Sequence, residues 1–196
     1  MRRFGRIAAL LGPLALAACA RPELSEPPPL ASEPLRFAVE EVQLRARPDA
    51  AAADNFVDAG RSRELLARTR TFLAERLEAA GGAGRLSVEI VQSTLVERPD
   101  AQGDDPRTRL WRNPGTRLVA TVAVRLSVSD DAGRQRAWLE VRVSRERALG
   151  AAAFRERERA VLRLAEDLLR QLDSALREGV EERLSAYLAL GDRRAP

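Results

Sequence analysis

The chain has 196 residues, 45% of them hydrophobic, enough for one domain with a packed core and too little for two comfortable ones. All 33 basic residues are arginine, histidine and lysine are absent, and cysteine occurs once, at Cys19. These absences remove the usual parts of metal sites, nucleophile triads, Schiff bases and phosphate-binding loops. No catalytic residue, metal or cofactor is expected.

Arg2, Arg3 and Arg6 precede the apolar stretch Ile7 to Leu16, the pattern of an export signal. The stretch falls short of the roughly 18 residues that cross a bilayer as a helix. Its last residues, Leu16-Ala17-Ala18-Cys19, resemble the lipobox of bacterial lipoproteins. That resemblance implies cleavage after residue 18, with diacylglycerol and further acyl chains such as palmitate on Cys19 as a membrane anchor. A secreted soluble protein whose single cysteine falls here is the other reading, but a lone thiol in an oxidising compartment invites intermolecular pairing that a thioether prevents. In lipoprotein sorting, Asp after the lipidated cysteine retains the protein at the inner membrane. Ala20 stands at that position, so the resemblance implies the outer membrane, periplasmic face.

Losing the three signal arginines leaves 30 arginines against 29 acidic residues. A near-neutral mature chain has no charge surplus to follow a phosphate backbone, so nucleic acid is not an expected partner.

Residues 19–34 are rich in proline and glutamate and read as a tether. Residues 35–190 form the domain and 191–196 a tail. A first strand spans Leu35 to Leu44, with the alternation slipping at Glu40-Glu41 as in a bulge. A loop follows from Arg45 to Gly60. Leu65, Leu66, Thr69, Phe72, Leu73 and Leu77 share one face of a helix over Ser62 to Ala80, with Asp58 or Ser62 as N-cap and Gly81 as stop. Leu86, Val88 and Ile90 alternate in a second strand ending near Val96.

Leu118, Ala120, Val122, Val124, Leu126 and Val128 alternate in a third strand, and Ala137, Leu139, Val141 and Val143 in a fourth. The two make a hairpin around a loop at Asp130 to Gly133, in a register whose residue numbers sum to 263. That register sets Leu126 against Ala137, Val124 against Leu139, Arg125 against Trp138 and Arg117 against Glu146. A last helix runs from about Ala151 to Phe154 through Val161, Leu164, Leu168, Leu172 and Ala175, with Gly179 as a candidate stop. Continued to Leu188 it would be roughly 55 Å long against strands of about 40 Å. The stripe around Leu184, Tyr187 and Leu188 would then overhang the sheet as a partner-binding surface, unless the loop or the tether folds over it.

The order strand, helix, three strands, helix predicts an α+β fold: a single mixed four-stranded sheet with two helices packed on one face, the first two strands parallel if they are neighbours. Lipobox, tether and element order together are similar to the layout of the LPS-assembly lipoprotein that plugs an outer-membrane translocon, and to auxiliary lipoproteins of ABC-type lipid transporters. The resemblance implies a non-enzymatic accessory subunit of an envelope assembly or lipid/LPS transport complex. Its expected partners are the membrane, an envelope protein complex, and lipid or LPS. The alternative is a cell-wall binding module or an activator of a wall-synthesis enzyme.

Local candidates resolve mostly into turns. Gly81-Gly82-Ala83-Gly84 follows a helix, whereas phosphate cradles open one. Asp130-Asp131 and Asp104-Asp105 sit where aspartate serves turn geometry. The stretch Arg98 to Thr116 is long for a hairpin connection and carries Leu110 and Trp111 among Arg107, Arg109, Arg112 and Arg117. An aromatic residue among arginines suits an acidic partner or anionic head groups. Arg109, Leu110, Trp111 and Arg112 are therefore candidate partner-binding residues, against the alternative that Trp111 covers the sheet edge.

Overall fold

The computed structural model describes residues 33–99, 116–149 and 154–189. Its main sheet has four strands, β2 (Glu41–Ala46), β4 (Arg85–Pro99), β5 (Thr116–Ser129) and β6 (Gln135–Leu149), in the order β2-β4-β5-β6. β2 runs parallel to β4, and the remaining pairs are antiparallel. Helices α1 (Phe56–Arg76) and α2 (Phe154–Arg183) pack against β4 and β6 respectively. The expected α+β fold, with its mixed four-stranded sheet and two helices, is the one observed.

The alternating apolar residues do what their period dictates. Leu86, Val88 and Ile90 of β4, Leu118 to Val128 of β5, and Leu139, Val141 and Val143 of β6 are buried, meeting Leu65, Phe72 and Leu73 of α1 and Leu164, Leu168, Leu172 and Leu176 of α2 in one core. Arg125, Trp138 and Arg142 are exposed on the other face, so one side of the sheet faces solvent, as antiparallel sheets allow.

The expected first strand is two strands. Leu35–Phe37 (β1) leaves the main sheet and pairs parallel with β3 (Leu77–Ala79). The slip at Glu40-Glu41 is thus a corner between sheets rather than a bulge. The backbone N–H of Glu40 donates to the Gly84 carbonyl (2.9 Å) at that corner.

α1 also differs at both ends. Its N-cap is Asn55, whose side-chain oxygen accepts from the Asp58 N–H (2.9 Å), while the Asn55 amide donates to the Asp58 carboxylate (2.7 Å). Asp58 is thus the first-turn partner of the cap, and Ser62 lies inside the helix. At the other end Leu77 turns extended to pair with Leu35, so the helix stops before Gly81 because its next residues are taken as a strand.

The β5–β6 hairpin keeps the expected faces but moves by two residues. Leu126 faces Leu139 and Val124 faces Val141, so the pairs sum to 265 and Arg125 stands opposite Glu140. A wider turn causes this: Ser129 pairs with Gln135, the N–H of Asp130 donates to the Arg134 carbonyl (3.0 Å), and Gly133 takes φ 74°. Arg136 is then an extra residue between the partners of Val128 and Ser129, a bulge that restores the alternation.

α2 ends at Arg183 and gives way to a short 3-10 turn over Ser185–Tyr187. Gly179 neither stops nor caps it: a β-carbon there would lie 2.9 Å from the Leu139 side chain, so glycine lets α2 approach β6 closely.

Candidate interaction surfaces

Cys19, Arg109, Leu110, Trp111 and Arg112 lie outside the described residues. The segment carrying the last four leaves β4 at Pro99 and re-enters β5 at the facing Thr116. Glu97, two residues before the departure, joins the two helices there. Its Oε2 meets Arg61 of α1 at 3.2 Å and its Oε1 meets Arg157 of α2 at 3.4 Å, while its N–H donates to Asp58 (3.2 Å). Partial burial pushes the Glu97 carboxyl up. The Thr116 hydroxyl, beside it but outside standard hydrogen-bond geometry, and the two guanidinium groups outweigh that and hold it below its ordinary value. With each oxygen on an arginine, this carboxylate is a brace rather than a proton shuttle. Exposed Phe56, Val57 and Phe154 lie within a turn of the helix residues it braces.

The stripe expected to overhang does not. Leu184 and Leu188 are 0% and 2% exposed. Leu188 bridges Phe37 antiparallel, the Ala38 N–H donates to the Tyr187 carbonyl (2.8 Å), and the Ala189 N–H to the Arg36 carbonyl (2.8 Å). Among the described residues the stripe is covered by β1, and Tyr187 is half-buried beside it.

On the solvent face of the sheet the two anticipated contacts occur as diagonals of the shifted register. The Arg125 guanidinium lies 5.7 Å from the Trp138 ring while pairing with Glu140 at 2.8 Å, and Arg117 meets Glu146 at 2.7 Å. Thr121 and Ser144 share a hydrogen bond of 3.0 Å between them. Among the described residues no group of three or more Cys, His, Asp or Glu could hold a metal, and no helix is long and apolar enough to cross a membrane.

One surface was missed from the sequence: the groove between β6, the outer strand of the sheet, and α2. Its signal was present as the failure of the apolar alternation after Val143, where Arg145 and Arg147 occupy the positions that would face the helix.

No family model and no curated protein matches the chain. Among solved structures it is similar to a minor lipoprotein from Acinetobacter baumannii, at 10% identity over 76% of this chain and 97% of that one, TM-score 0.40. It is also similar to the rare lipoprotein B from Shewanella oneidensis, at 11% identity over 72% and 98%, TM-score 0.37. At such values neither likeness carries a residue role to this chain.

Proposed function

We propose that this chain is a lipid-anchored protein of the periplasmic face of the outer membrane, acting without catalysis as an accessory subunit of an envelope assembly or of a lipid or LPS transport complex. The observation that carries the reading is how the chain enters its fold. The Glu33 carbonyl accepts a hydrogen bond from Arg177 of α2, and β1, two residues later, is held between β3 and the Leu188 segment. A pull on the N-terminus meets two backbone partners and the buried Phe37, not a fraying end. That suits a domain hung from Cys19 on residues 19–34, which reach at most about 55 Å. The spent Glu97 carboxylate and the absence of histidine support a role in binding rather than catalysis.

Palmitate labelling in a producing bacterium, followed by crosslinking in the native membrane, tests this. Wild type incorporates label, Cys19→Ser does not, and the crosslinked neighbour is a transport or assembly subunit. Label retained by Cys19→Ser, or protein purified with Met1 intact, overturns the anchor. A wall-synthesis enzyme as the neighbour overturns the accessory role in favour of wall activation.

A further inference from the structure

The two sides of the sheet are finished differently. Beyond Ile90, where β2 ends, β4 would present an open edge, yet its donors are met one after another. Ser93 N–H donates to the Ala50 carbonyl (2.6 Å), Leu95 N–H to the Ser62 hydroxyl (3.0 Å) and Glu97 N–H to the Asp58 carboxylate (3.2 Å). β6, fifteen residues long, has β5 on one side and, among the described residues, no strand or backbone partner on the other. Backbone donors and acceptors along such an edge are a template for a further strand.

Between that edge and α2 lie three hollows in a row. From the Leu149 end toward Trp138 their volumes are about 270, 580 and 490 Å³. Arg147, Arg159 and Arg163 line the first together with Glu156. Arg145 and Gln171 line the second beside Asp167, which Arg170 neutralises. Glu178, Glu182 and Arg183 line the third, so the basic surplus lies in the first two. Arg145, Arg147, Arg159 and Arg163 are exposed, and none makes an ion pair with a described residue. Gln171 has its side-chain oxygen buried without a donor. Inward-pointing charges discourage edge-to-edge pairing, and they do so here against a second copy, whose own Arg145 and Arg147 would meet these arginines. The same four groups favour a segment carrying carboxylates, by charge-assisted hydrogen bonds.

We infer that the β6–α2 groove binds an extended acidic polypeptide segment of a partner protein, which adds to β6 as a fifth strand with its carboxylates on Arg145, Arg147, Arg159 and Arg163. The site is independent of whether Cys19 carries lipid, so its failure and that of the anchor are separate results.

The test titrates the full chain with a fluorescein-labelled decapeptide of alternating Glu and Thr, with the Gln-Thr counterpart, and with phosphatidylglycerol vesicles. Hydrogen exchange is read along β6. The acidic peptide binds at least tenfold more tightly than the neutral one and slows exchange at alternate β6 amides. It loses at least tenfold in affinity in Arg145→Glu/Arg147→Glu, and binds Arg45→Glu, altered on the opposite edge strand, as it binds wild type. Unchanged thermal melting shows that the variants fold. Equal binding of the two peptides, or binding without protection of β6, overturns the proposal. So does vesicle capture through the same arginines in place of peptide binding, and so do β6 amides already protected in the free chain, which would mean that its own residues fill the groove.

Discussion

Arg76, in the last turn of α1, and Asp173, midway along α2, form the ion pair that joins the two helices, with Nε 2.9 Å from Oδ1 and side chains only 8% and 15% exposed. Arg177 brings a second guanidinium to the same carboxylate at 3.4 Å and also donates to the Glu33 carbonyl. One carboxylate thus ties α1 to α2 and, through Arg177, to the point where the chain enters the fold. Removing one partner of a buried pair leaves the other charge uncompensated. Asp173→Ala is expected to lower stability by about 3 kcal/mol in urea denaturation, and Arg76→Met/Asp173→Leu to recover most of it. A loss below about 1 kcal/mol for Asp173→Ala would make the clamp dispensable.

Leu184 and Leu188 belong to the core, so their substitution should act on folding. Leu184→Ala is expected to cost about 2–4 kcal/mol through the cavity left behind. Leu188→Asp places a charge beside Phe37 and should lower the melting temperature sharply. An unchanged melt with lost co-purification of a partner would restore the docking role to this stripe.

Two glycines of one turn should behave unequally. At Gly84, φ is +85° and a β-carbon would lie 2.1 Å from the Ser129 carbonyl oxygen, while its N–H donates to Asp131 at 2.6 Å. At Gly81, φ is +84° with nothing within 4 Å. Gly81→Ala therefore pays only the left-handed backbone strain, about 1 kcal/mol. Gly84→Ala adds a backbone collision that must move the β5 end, and its loss should exceed that of Gly81→Ala at least twofold by urea titration.

Glu97 makes part of the stability depend on pH. Its folded pKa lies below the ordinary 4.5, so the unfolded state binds the proton more readily. The contribution is fully present above pH 4.5 and is lost as pH falls through the folded value. Glu97→Gln should flatten that part of the acid limb in a series of thermal melts. An acid limb of unchanged slope would show that Glu97 is not among the groups that set it.

The hairpin shows what periodicity can and cannot reveal. A shift of two residues leaves every side chain on its face, so burial at Leu126 and Leu139 was legible while the choice between sums of 263 and 265 was not. It depended on hydrogen bonds of Asp130 and on the bulge at Arg136. The cation-π contact between Arg125 and Trp138 survives because long side chains reach diagonal neighbours as well as direct ones. Arg145 and Arg147 went unread as a surface because an interrupted alternation looks like a fading strand until α2 is seen opposite.

By itself the sequence determined the order of the main-sheet strands along the chain, the faces they bury and the helix that crosses from β2 to β4, because the apolar period is a local property of neighbouring residues. Only the tertiary structure decided that Leu35–Phe37 leaves the main sheet for Leu77–Ala79, and that Leu188 returns to cover Phe37. It also decided that α2 stops at Arg183. Each of these is a pairing between segments far apart in the chain, and a three-residue strand has too short a pattern to name its partner. Backbone hydrogen bonds and shared burial choose that partner once the helices have brought the segments together.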